Sequence, residues 1–170
     1  MARLKNLFES VGFHDVETFI ASGNVTFNSS QRGRPSIERA IFTGLNEALG
    51  YDVHAFVRTS SELAAIGAFR PFTKEKIESA VAQHVGFAAA PIDGDAQARI
   101  TSLSTDTDDL RTEGSEIYWL CRTRFSDSKI TGGAIEKAVG SRVTLRNINT
   151  VRRFLDKYPQ APSSSGRSRS

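Results

Sequence analysis

Thiols, long apolar runs and transport signals are what this chain lacks. It holds one cysteine, one methionine and one tryptophan in 170 residues. A single cysteine, Cys121, cannot form an internal disulfide, and a reducing cytoplasm is the simplest compartment for it. Cys121 ends an apolar run, so its thiol is expected to be packed rather than reactive. No apolar run approaches the roughly 18 residues that span a bilayer, so no membrane partner is expected. A secretory core is missing too, because Lys5, Asn6 and Glu9 interrupt Leu4, Leu7 and Phe8.

Signatures of catalysis are equally scarce. His14, His54 and His84 have no Cys or carboxylate at ligand spacing, so no metal site is expected. Asp106, Asp108 and Asp109 lack the Gly and terminal Glu of a calcium loop and read as a charged turn. Gly132-Gly133 belongs to no P-loop and no Gly-x-Gly-x-x-Gly dinucleotide turn. No serine sits in a Gly-x-Ser-x-Gly elbow, and no nucleophile has an assignable base. No catalytic residue and no cofactor are therefore assigned.

What is present fits a globular α+β chain: 39% hydrophobic and 24% charged residues. Net charge is +3, unevenly placed. Residues 1–116 hold 11 Lys/Arg against 16 Asp/Glu, whereas residues 117–170 hold 11 against 3. A basic C-terminal third suits an anionic partner, nucleic acid among them, and equally a solvated basic face. Aromatics are not interleaved with arginine there as in a single-strand binder.

Leu4, Leu7, Phe8 and Val11 have helical spacing, and Gly12 stops that helix. Val16–Phe19 and Val25–Phe27 read as strands around Ala21-Ser22-Gly23-Asn24. Ile37, Ile41, Leu45 and Leu49 stripe a second helix that Gly50 ends. Tyr51–Arg58 alternates like a strand through Val53, Ala55 and Val57. Thr59-Ser-Ser-Glu62 is a capping-box pattern opening a short helix. In the second half, the spacing predicts a strand over 81–90, a helix over 93–103 and a hairpin around Gly114-Ser115. It further predicts a helix over 126–139, a strand over 142–146 and a last helix through Val151, Phe154, Leu155 and Tyr158. The expected fold is two ferredoxin-like β-α-β subdomains with largely antiparallel sheets covered by helices. The expected halves are residues 1–72 and 73–158, with a disordered tail over 159–170.

Residues 144–151 place an arginine, two asparagines and two threonines at a strand-to-helix junction. Together with Ser22, Gly23, Asn24, Arg58, Ser128 and Lys129, the residues Arg146, Asn147, Asn149 and Thr150 form the candidate ligand site. If they converge, amides, hydroxyls and a guanidinium can hold a small anion such as phosphate or carboxylate. The structural alternative is that Asn149 or Thr150 caps the helix, Asn24 satisfies a bulge and Arg146 braces the fold.

Several segments carry a resemblance: Met1–Phe13 leading into Val16-Glu-Thr-Phe-Ile-Ala-Ser-Gly-Asn-Val-Thr-Phe27, Val57-Arg-Thr-Ser-Ser-Glu-Leu63, Ser128-Lys-Ile130, and Thr144-Leu-Arg-Asn-Ile-Asn-Thr150. In combination they resemble the bacterial proteins grouped as domain of unknown function 1697, over roughly residues 1–158. The resemblance implies paired ferredoxin-like subdomains and brings no established reaction. Members of that family usually open with a strand and a Gly-rich turn that this chain does not show. A start assigned too far downstream is the favoured explanation. A chain starting at Met1 exposes a sheet edge that another chain can pair with. The expected function is a small cytoplasmic binding or interaction domain. The alternatives are a nucleic-acid-associated module and an enzyme or binder of a phosphorylated small molecule.

Overall fold

In a computed structural model that describes residues 2–20 and 23–159, the chain divides between Arg58 and Thr59 into two units. The unit up to Arg58 is built on three amphipathic pieces. Helix α1 (Ala2–Ser10) and helix α2 (Arg34–Leu49) cover a hairpin of β1 (His14–Phe19) and β2 (Asn24–Asn28). Phe8, Phe13, Val16, Ile41 and Leu45 are buried between them. The rings of Phe8, Phe13 and Phe27 lie 4.4–5.8 Å apart, centroid to centroid, in tilted contacts. Gly50 ends α2 in the left-handed region, φ 77°, and its amide donates to Asn46 O at 2.8 Å.

The strand expected over Tyr51–Arg58 is not formed. Val53, Ala55 and Val57 do pack on the core of this unit, as their alternation predicts, but among the described residues the segment joins no ladder. Among the described residues, the bonds of Val53–Val57 are the Val57 amide donated to Glu38 Oε1 at 3.0 Å and Val57 O accepting from Arg58 Nη1 at 2.9 Å. Side-chain periodicity reports which face is apolar; it does not supply a neighbouring backbone.

The unit from Thr59 onward contains a complete sheet. Its strands are β3 (Ala82–Ala88), β4 (Asp108–Glu113), β5 (Glu116–Cys121) and β6 (Val143–Asn147). They run β4-β5-β3-β6, antiparallel throughout. Helices α5 (Gly94–Ser102) and α6 (Gly132–Val139) follow β3 and β5 and cover one face. There Leu110, Ile117, Trp119 and Cys121 pack with Ala96, Ile100, Ile135 and Ala138. On the other face, Val85, Tyr118 and Leu120 are also buried. Helix α7 (Ile148–Lys157) packs on β3 and β6, and α3 (Ser60–Ala68) packs on α7. Leu155 of α7 lies directly over Gly67 of α3. That contact lies within the second unit.

Local capping explains most element ends. Thr59 and Glu62 form both halves of the capping box of α3. Asp93 caps α5 and Thr131 caps α6. The expected helix over 126–139 is thereby shortened to α6, with a 3₁₀ turn at Phe125–Asp127 before it. Gly132 and Gly133 fall in the first turn of α6, where a missing side chain costs less than in mid-helix. The short helix α4 (Lys74–Glu78), capped by Thr73, was not legible in the apolar spacing. Among the described residues no helix is long and apolar enough to cross a membrane.

Gly44 gives the sharpest test of the first unit. Mid-helix Gly→Ala ordinarily stabilises by about 1 kcal/mol. Here an added Cβ overlaps the β-branched side chain of Val11, and overpacking costs about 1–3 kcal/mol. Gly44→Ala is expected to lower the urea midpoint, with a net loss of about 1 kcal/mol at unchanged m; a raised midpoint would show that Val11 does not press on α2 there.

Candidate functional site

The strand-to-helix junction at residues 143–150 is built by one asparagine serving two elements. Asn147 is the last residue of β6 and the N-cap of α7, its Oδ1 accepting from the Asn149 amide at 2.9 Å. The expected caps, Asn149 and Thr150, instead lie inside the first turn. The reason is apolar: Ile148 and Val151 are both buried, so the helical stripe starts a residue ahead of Asn149. Asn149 is exposed and accepts weakly from Arg152 Nη1 at 3.4 Å.

Arg146 stands opposite Val85 on β3, on the sheet face that α7 covers. Its Nη1 donates to Thr144 Oγ1 and Leu145 O, both at 2.8 Å. Burial of the guanidinium pushes its pKa down. Both acceptors lie within two residues of Arg146 on its own strand. Lys129 is exposed on the segment after the 3₁₀ turn. Ser128 is engaged: its hydroxyl donates to Asp108 at 3.0 Å and accepts from the Ile130 amide.

The remaining candidates belong to the first unit. Gly23 is in the left-handed region, φ 76°, at the β1–β2 turn. Asn24 opens β2, and its Nδ2 donates to Phe19 O at 3.2 Å, closing the same turn. Arg58 ends the unit with Nη1 on Val57 O. Ser22 lies outside the described residues.

The expected charged turn is in part a buried carboxylate centre. Asp108 is fully buried. Its Oδ1 accepts from Trp119 Nε1 at 2.8 Å and from Ser128, and its Oδ2 from Thr107 at 2.8 Å and Thr105 at 3.1 Å. Burial pushes its pKa up, and the four hydrogen bonds outweigh that, so the carboxyl sits below its ordinary range. Asp109 is also nearly buried, bridged by Lys76 of α4 at 2.8 Å and by Arg122. Desolvation raises its pKa, and the two cations bring it below the usual value. Cys121, paired with Asp108 across the β4–β5 ladder, has its thiol pushed up to about 12 by burial and then by that carboxylate; it is inert.

Beside this centre, the ring of His84 lies in tilted contact with Phe125 at 4.5 Å, and Phe125 lies 5.0 Å from Trp119. The buried Nδ1 of His84 has no hydrogen-bond partner among the described residues, and burial lowers its pKa. The lone tryptophan was the available signal for Asp108, since a buried indole N–H needs an acceptor. Among the described residues, no three His, Cys, Asp or Glu side chains gather as metal ligands.

Known proteins fit this picture. The model of the family described as protein of unknown function (DUF1697) matches residues 1–118. The solved structure of a conserved bacterial protein from Streptococcus pneumoniae superposes with a TM-score of 0.69 at 19% identity, covering 92% of this chain and 88% of that one. No curated protein matches. The chain belongs to the DUF1697 family, and at that identity the likeness to the solved structure shows a shared α+β fold.

Removing the Asp108 carboxylate strands an indole N–H and three hydroxyls, so Asp108→Ala is expected to cost about 3 kcal/mol at pH 7. Both aspartates have folded pKa values below that of an ordinary aspartate. Their stabilisation is therefore full above that value and is lost as pH falls through the lowered folded values. Urea midpoints measured from pH 5 downward should drop steeply below about pH 4 and less steeply in Asp109→Asn. Equal slopes would remove Asp109 as a source of acid sensitivity.

Proposed function

We propose that this member of the DUF1697 family is a cytoplasmic binding and interaction module, not an enzyme, and that its first unit takes up a polypeptide partner. The observation behind this is Val53–Val57. Its inward side chains are packed as in a strand, yet among the described residues its backbone joins no ladder. Partly buried N–H and C=O groups without partners are costly. A row of donors and acceptors at strand spacing is complemented by another backbone and not by a compact metabolite.

Other chemistries have less support. RNA readers with a strand-helix-strand-strand-helix-strand fold stack bases on aromatics of an open sheet face. In the second unit, both faces carry buried side chains, and Tyr118 on the face away from α5 and α6 is 2% exposed. Its ring lies 5.0 Å from that of Phe69. Of the arginines that reading would use, Arg142 and Arg153 are exposed and Arg146 and Arg152 are half-buried. A phosphorylated small molecule at the junction of β6 and α7 would have to compete with the hydrogen bonds that Arg146 and Asn147 already make.

The test is a thermal-shift comparison of three probe sets on the full chain. They are seven-residue peptides alternating Val and Thr, phosphorylated metabolites, and nucleotides with short DNA and RNA. The peptides are expected to raise Tm by several degrees at a hundredfold excess over Kd, the other sets not. A shift by a phosphorylated metabolite, abolished in Arg146→Ala at unchanged intrinsic Tm, would overturn the proposal. So would DNA or RNA binding that falls steeply with salt.

A further inference from the structure

Helices α1 and α2 meet closely at two points. The Cβ position of Gly44 falls against Val11, and Arg3 Nη2 donates to Ala48 O at 3.3 Å. Beside that contact lies a groove of about 770 Å³. Leu7, Val11, Ala40 and Gly44, all half-buried, form its apolar lining, and Arg39, Thr43 and Glu47 stand exposed along α2. An apolar groove with a polar rim suits a helix laid along it.

Exposed helix charges elsewhere find partners one turn away: Lys5 with Glu9 on α1 at 3.7 Å, and Lys74 with Glu78 on α4 at 3.6 Å. Arg39 and Glu47 are two turns apart on α2, about 12 Å along the axis, too far to meet each other. Among the described residues neither makes an ion pair or a side-chain hydrogen bond. Thr43 stands midway between them. Read in reverse, the row Arg39, Thr43, Glu47 is its own complement. An antiparallel copy with Thr43 on Thr43 sets Arg39 of one protomer against Glu47 of its partner, twice by symmetry. A register centred between Thr43 and Gly44 moves those charges by only about 1.5 Å. Between the charges, Ala40, Thr43 and Gly44 are small and let a second backbone come close.

We infer that two copies of this chain associate across this groove, α2 lying antiparallel on α2 about a twofold axis beside Thr43. The second copy is the occupant because α2 itself supplies the charge order that complements the groove, at the matching spacing. This contact goes beyond the uptake of a polypeptide by Val53–Val57 and does not depend on it. Helix α2 has 16 residues, about 24 Å of length, so the interface is at the small end of specific ones. A reversible dimer follows, with a dissociation constant of about 10–100 µM. Added salt weakens it, because both charge pairs are at the rim.

Sedimentation of the full chain from about 1 to 500 µM measures the association. Arg39→Glu and Glu47→Arg each oppose like charges at both ends of the contact, and each is expected to raise the dissociation constant at least about tenfold. The double variant, Arg39→Glu with Glu47→Arg, restores opposite charges and is expected to dimerise as the unchanged protein does. Mixed in equal amounts, the two single variants should pair with each other, since one is then acidic at both positions and the other basic. Both positions are exposed, so Tm at low concentration should be unchanged in every variant. A chain that stays monomeric at about 500 µM overturns the inference. A dimer that survives both single reversals also overturns it, because another surface then forms it. So does a loss that either the double variant or the mixture fails to recover.

Discussion

Backbone hydrogen bonding is the constraint from which the rest of this structure follows. A strand with one face in an apolar core buries part of its backbone, and buried N–H and C=O groups need partners, whether a neighbouring strand, a side chain or water. The second unit meets that demand fully. Strand β3 is bonded on both edges, and Val85 at its centre is fully buried. The first unit meets it for β1 and β2 and leaves Val53–Val57 with core contacts and almost no backbone partners. Apolar packing and backbone pairing, which normally arrive together, are separated in this one segment.

Polar groups elsewhere are spent on holding the fold. The indole of Trp119, the hydroxyls of Thr105, Thr107 and Ser128 and the carboxylate of Asp108 satisfy one another at the end of the β4–β5 hairpin. Asp109 ties α4 to that hairpin through Lys76 and Arg122. Arg146 secures β6, and Asn147 opens α7. Cys121, the one thiol, is buried and held in its neutral form.

Much of this was readable from periodicity and capping. The stripe of α2, the capping box of α3 and the hairpin at Gly114-Ser115 all follow from spacing and turn chemistry, and so does the α+β class. The misses share a cause. The segment Tyr51–Arg58 has the alternation of a strand, but whether a strand forms depends on a neighbour that alternation cannot reveal. Asp108 looked like part of a solvated turn because its donors come from residues as far away as Ser128. Asn149 and Thr150 looked like caps until buried Ile148 moved the start of α7 back to Asn147. Where a residue's role is set by its own neighbours in sequence, it was legible; where it is set by a distant donor or strand, it was not.

Amide hydrogen exchange of the full chain tests the central claim most directly. Val53 and Ala55 should exchange within minutes, at least a thousandfold faster than Val85 and Tyr118 in the complete sheet. Comparable protection of the two sets would contradict the account, because Val53–Val57 would then already have the backbone partner that it is held to lack.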